Sequence, residues 1–211
     1  RCPLLLQQEV CSFLAWSVMA YYLGTKYWYR SQALVSFVMP VVFILTLAGL
    51  LLPSSESVPF ALRLGQRPTL LFLHIALFLF AYGAFIITFL AGLMYIIQER
   101  SLKQKRFGSL WFKLPSLDTC DDMSYKSVGI GFVLLTLGIV TGIVSSRHID
   151  GLYWHGDPSE FLALATWCVY LFMVHCRLTA GWRGRRAALL SIAGFVMTLV
   201  SLEIGRASCR E

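Results

Sequence analysis

The stretch Thr69–Ile97, TLLFLHIALFLFAYGAFIITFLAGLMYII, decides the fold. It contains no Lys, Arg, Asp or Glu and a single histidine, His74. About 20 apolar residues suffice for a helix to cross the hydrocarbon core of a bilayer, so this run is long enough to span one. Working outward, Ala33–Leu52, Ser127–Ser146 and Phe161–Cys176 (extended to Ala180) have the same character. Arg186–Leu202 is slightly short, and Cys11–Gly24 is shorter and follows the polar Gln7, Gln8 and Glu9. The 211 residues are 57% hydrophobic and 14% charged, and the mean hydropathy is +0.69. A soluble domain has about 25% charged residues to cover its surface. This composition therefore excludes a soluble enzyme, a disordered chain and a secreted disulfide scaffold. The expected fold is all-α: a polytopic transmembrane helical bundle of about six spans with a short external aromatic loop.

The chain opens on Arg1 rather than Met, and an N-terminal truncation is expected. The run GRASCRE (Gly205–Glu211) breaks the apolar pattern and reads as a non-native scar. The expected organisation is N-terminal spans in 1–68, the functional membrane domain in 69–204, and the tail 205–211.

Charge gives the topology. The first, third and fifth loops (Gly24–Gln32, Gln98–Lys126, Arg177–Arg186) hold 12 Lys/Arg, against three in Pro53–Pro68 and Arg147–Glu160. The positive-inside rule puts the odd loops in the cytoplasm. The net charge of +7 is read as this bias and not as a nucleic-acid interface. The acidic loop 147–160 then faces outward, toward the periplasm if the membrane is a bacterial inner membrane. Basic and aromatic residues alternate over Lys105–Leu117 and suit a segment lying on anionic lipid. Gly138 and Gly142, with Gly131 one heptad earlier, form a small-residue packing stripe. Pro40 is expected to kink its span. Cys2, Cys11, Cys120, Cys168, Cys176 and Cys209 make no C-x-x-C pair, which argues against a thiol oxidoreductase and a covalent haem motif.

An ionisable side chain inside a span is a functional candidate by default. His74 lies near the outer end of its span and His175 near the inner end of another, about 15 Å apart in depth by helix rise. Axial nitrogens on one haem iron lie only about 4 Å apart, with Fe–N bonds near 2 Å. The two histidines therefore point to separate sites and disfavour a b-type electron carrier. The outer loop RHIDGLYWHGDPSE (Arg147–Glu160) places two aromatics, two histidines and three acids between spans. Its aromatics suit either an interfacial belt or a flat platform for a planar ligand.

These features resemble the cytochrome c assembly family of haem-handling membrane proteins with an external tryptophan-rich "WWD" loop, most of all its HemX-like branch. The matching text is LHIALFLFAYGAF (Leu73–Phe85), GLMYIIQERSLKQK (Gly92–Lys105), LPSLDTCDDMSYKSVGIGFVLLTLGIVTG (Leu114–Gly142), GLYWHGDPSE (Gly151–Glu160), YLFMVHCRL (Tyr170–Leu178) and GWRGRRAALLSIAGF (Gly181–Phe195). The resemblance implies a carrier or assembly factor rather than an enzyme, presenting transiently bound haem b to apocytochrome c alongside other maturation proteins. Within it, His74 corresponds to an external iron ligand, and Tyr153, Trp154, Asp157 and Glu160 to the WWD loop. His175 corresponds to a histidine used deeper in the membrane, at a possible second haem site. The loop departs from the family pattern: Ser145, Asp150 and Gly156 stand where Trp is usual, and Ser159 where Lys is usual. A second external histidine is expected after the last span, where the scar begins; His148 and His155 are candidate substitutes. The alternative implied function is HemX-like control of tetrapyrrole synthesis through a partner on the basic 98–126 loop. A small transporter ranks third, because no paired carboxylates lie within the spans.

Overall fold

The computed structural model describes residues 7–29, 33–52, 68–105, 115–151, 153, 156 and 158–207. These form six helices: α1 (Gln7–Tyr29), α2 (Ala33–Leu51), α3 (Pro68–Lys103), α4 (Leu117–Asp150), α5 (Pro158–Leu178) and α6 (Arg185–Ala207). No strand occurs among the described residues. Four stretches are long and apolar enough to cross a membrane: Leu34–Leu51, Thr69–Lys103, Leu117–His148 and Glu160–Leu178. The fold is the expected helical membrane bundle, with α1 and α6 lying outside these four stretches.

Helices α3 and α4 have 36 and 34 residues. At 1.5 Å per residue each is about 50 Å long, well beyond a hydrocarbon core of about 30 Å. The sequence had suggested that Gln98–Lys126 is one loop. Instead α3 runs on to Lys103 and α4 starts at Leu117. Hydropathy registers only the apolar part of a helix, while the polar continuation is fixed by local capping. The Ser116 side chain accepts from the Thr119 N–H at 3.2 Å, and Asp118 sits in the first turn of α4. The segment expected on anionic lipid falls largely in 106–114, outside the described residues. Pro40 lies inside α2 without ending it.

Small residues let the helices approach closely, as membrane packing requires. A Cβ at Gly83 would fall 2.7 Å from the Ser17 Oγ, and one at Gly92 would fall 3.1 Å from the Ala188 carbonyl. The stripe read from sequence is the α4 face that receives α3. Gly131 meets Phe85, Gly138 meets Phe78, and Gly142 meets the His74 ring. These contacts fix an antiparallel register between α3 and α4. Helix α5 is pinned by Phe85 stacked on Tyr170 at 3.5 Å and by the Trp167 Nε1 donating to the Thr136 Oγ1 at 3.0 Å. Tyr170 also shares a 3.0 Å hydrogen bond with Thr198 of α6. Buried hydroxyls on Thr88, Thr166 and Thr198 donate to carbonyls one turn back, which satisfies them within their own helices. The outer surface is apolar, with Phe43, Ile44, Val133, Phe161, Phe172 and Val196 exposed.

Candidate functional site

His74 sits one and a half turns into α3, half-buried against α4. Its Nδ1 lies 2.8 Å from the Gly138 carbonyl oxygen. A carbonyl oxygen only accepts, so Nδ1 carries the proton and donates it. In the neutral ring, Nε2 then keeps its lone pair. This is the usual arrangement of a metal-ligating imidazole, whose other nitrogen is held by a backbone carbonyl. The ring lies directly on Gly142, where a Cβ would be 2.6 Å from Cε1 and 2.8 Å from Nδ1, and it packs edge-on against Phe78 at 4.8 Å. Only glycine at 142 leaves room for this pose.

The register locates the outer loop relative to this ring. Gly142 is level with His74, and α4 climbs nine residues further to its cap at Gly151, about 13 Å by helix rise. Gly151 is left-handed (φ 74°), and its N–H returns to the Arg147 carbonyl at 3.0 Å. Helix α5 starts lower. Pro158 is 12 residues outward of Tyr170 and His74 is 11 residues outward of Phe85, so with those rings stacked the first turn of α5 is level with His74. The loop therefore descends from the cap of α4 to the depth of the imidazole. It is also shorter than expected: helix occupies Arg147–Asp150, and α5 begins at Pro158, a favoured first helical residue.

Within this loop the Tyr153 ring is exposed, with the Arg147 guanidinium 4.3 Å from its centroid, so one face is already covered by a cation. Glu160, in the first turn of α5, accepts from the Gly156 N–H at 3.0 Å and braces the loop onto the helix. Trp154, His155 and Asp157 lie outside the described residues. His148 is exposed in the last turn of α4, six residues or about 9 Å of helix rise beyond Gly142.

His175 is separate. It lies five residues inward of Tyr170, so about 24 Å of helix rise divides it from His74, more than the 15 Å derived from span ends. It is exposed on α5, and its ring makes no hydrogen bond among the described residues. No cluster of three or more metal-ligating side chains occurs among the described residues.

The sequence reading missed a polar cluster at the basic end of the bundle. Arg177 had been assigned to topology, but it is 6% exposed. It contacts the Asp121 carboxylate at 3.4 Å and donates to the Ser124 Oγ at 2.9 Å. Ser124 in turn shares a 3.2 Å hydrogen bond with Ser191, and the Asp121 carboxylate also accepts from the Gly184 N–H at 3.2 Å. Gly184 needs its positive φ of 68° to present that N–H. The α4–α5–α6 junction is thus locked by one buried ion pair. Placing Asp121 on a capped helix, rather than in a loop, was the signal that could have revealed it.

Together these features define a polytopic helical membrane protein in which one imidazole, held by a backbone carbonyl over a glycine, stands level with the first turn of α5. The family described as cytochrome C assembly protein matches residues 6–202, and the chain belongs to that family. The match takes in α1 and α2 as well as the motifs that carried the resemblance. A cytochrome c biogenesis protein CcsA of Guillardia theta is 31% identical, covering 94% of this chain and 71% of that protein. A CcsA of Synechococcus sp. (strain JA-2-3B'a(2-13)) is 30% identical over 92% of this chain and 71% of its own length. A CcsA of Porphyra purpurea is 28% identical over 94% and 73%. The HemX-like branch gains no support from these relatives. No solved structure matches.

Proposed function

We propose that this protein is a haem-handling factor of cytochrome c biogenesis that binds haem b at its outer face and presents it to apocytochrome c, without itself forming the covalent bonds. The observation that carries this reading is the His74 imidazole, with Nδ1 donating to the Gly138 carbonyl at 2.8 Å over a glycine floor. The residues fit haem. Nε2 carries the free lone pair, Gly142 leaves room for the ring in this pose, and α5, whose first-turn Glu160 braces Gly156, begins at the same depth. When bound, haem supplies the iron and the vinyl groups on which the chemistry of attachment occurs.

The chain's own residues do the positioning. The Gly138 carbonyl fixes the ring's tautomer and raises its basicity as a ligand. Phe78 and Gly142 set the ring angle. Glu160 holds Gly156, and Tyr153, Trp154 and Asp157 are the loop residues that would contact a bound haem. His175, exposed about 24 Å further in, would serve a second, inner haem position. The basic ends of the helices lie in the cytoplasm, and the loop at Gly151–Pro158 faces the periplasm of a bacterial-type inner membrane. Other maturation proteins dock beside it.

The test is assembly in cells. In a strain lacking its own copy of this factor, the wild-type chain restores covalent c-type cytochromes, seen by haem staining after denaturing electrophoresis. His74→Ala abolishes the signal at equal membrane levels. Full restoration by His74→Ala refutes the proposal.

A further inference from the structure

A continuous groove runs along the bundle from mid-span to the basic end, where the cluster around Arg177 lies. It joins two cavities, of about 290 and 650 Å³, that share Trp28 and Ile130. Ala20, Tyr21 and Phe80 line the upper one, and the lower ends against Lys126 and Arg177. From Ala20 to Trp28 the groove follows α1 for about 12 Å. Two glycines open it: a Cβ at Gly24 or Gly129 meets nothing within 4 Å. Most helical glycines of this chain are pressed against a neighbour, so these two face space rather than a packing partner.

The charged end is asymmetric. Lys126 and Arg177 line the groove, and no acid does among the described residues. The acids paired with these cations, Asp121 and Asp122, line an adjoining cavity that shares Tyr125, Arg177 and Leu178 with the groove, and the Tyr29 hydroxyl at the groove's edge donates to Asp122 at 2.7 Å. Arg177 is 6% exposed and its Nε is closed to solvent, so it contributes charge at the end of the groove, while the exposed Lys126 ammonium is the group an anionic oxygen can reach. We propose that this groove holds one anionic phospholipid, with its phosphate at Lys126 beside the buried charge of Arg177 and an acyl chain lying past Trp28 and Gly24 toward Phe80. Apolar walls at membrane depth, ending on two cations at the basic face, match a lipid and not a free anion. The site is distinct from His74 and does not depend on haem binding there.

The test uses the full chain purified in mild detergent, with retained phospholipid measured by mass spectrometry. Phosphatidylglycerol is expected at about one per chain, in preference to phosphatidylethanolamine. Lys126→Gln should reduce that preference about fivefold, the worth of one interfacial cation. The double variant Gly24→Leu/Gly129→Leu fills open space, so its thermal unfolding should match wild type while retention is lost. After delipidation, short-chain phosphatidylglycerol should raise the melting temperature and inorganic phosphate should not. Equal retention of both lipids, indifference to the glycine double variant, or stabilisation by phosphate alone each overturns the proposal. So does retention of haem, or of a partner's helix, in place of lipid in the wild-type groove.

Discussion

Gly142→Ala tests whether the pose of His74 depends on the glycine floor. The new Cβ would stand 2.6 Å from Cε1 of the ring. Ordinary contact begins near 3.4 Å, so the imidazole must retreat by about 0.8 Å. Moving the ring that far takes the 2.8 Å bond from Nδ1 to the Gly138 carbonyl to a length at which it no longer counts as a hydrogen bond. Overpacking costs about 1–3 kcal/mol and the lost hydrogen bond about 1 kcal/mol. Two glycines separate these effects. Gly131→Ala drives a Cβ to 2.6 Å from Phe85 on the same face, so it overpacks without touching His74. Gly129→Ala enters open space and sets the baseline for stability. Thermal unfolding in detergent should fall for Gly142→Ala and Gly131→Ala but not for Gly129→Ala. In a haem titration followed at the Soret band, only Gly142→Ala should weaken iron ligation, by about tenfold if the carbonyl's support of the ring is lost. If Gly142→Ala binds haem like wild type, or Gly131→Ala weakens ligation equally, the reasoning about this ring is wrong.

Arg177→Gln leaves the part-buried Asp121 without its cation and should cost about 2–3 kcal/mol, whereas Arg177→Met with Asp121→Leu should recover most of the loss; chemical denaturation in mixed micelles reads both. Gly83→Ala meets the Ser17 Oγ at 2.7 Å and should loosen α1 from α3. Adding Ser17→Ala should restore most of the melting temperature, which a double-mutant cycle measures. Tyr170→Phe removes the 3.0 Å bond to Thr198 while keeping the Phe85 stack, and should cost about 0.6–1 kcal/mol in thermal unfolding.

The membrane bundle was legible because Thr69–Ile97 admits no other reading, and the stripe Gly131–Gly138–Gly142 marked a packing face. The sequence could not say what that face receives. That Phe85, Phe78 and His74 fall on it depends on an antiparallel register set by the whole α3–α4 pair. The ends of α3 and α4 were misjudged because charge was taken to mean loop, although Ser116 and Gly151 are capping residues at the positions where α4 starts and stops. Arg177 was misread for a related reason. A cation at the end of an apolar run normally reports topology, and its burial depends on an acid 56 residues away. The depth mismatch between His74 and His175 was visible from spacing alone, and the Phe85–Tyr170 stack enlarges it.

The most direct measurement on His74 is chemical rescue. His74→Gly leaves a ring-sized gap beside Gly142. The purified variant should lose the Soret absorbance that wild type gains with haem, and free imidazole should restore it, while His175→Ala keeps it at the outer site. A His74→Gly protein that binds haem with wild-type affinity and an unchanged spectrum would show that the iron is held elsewhere.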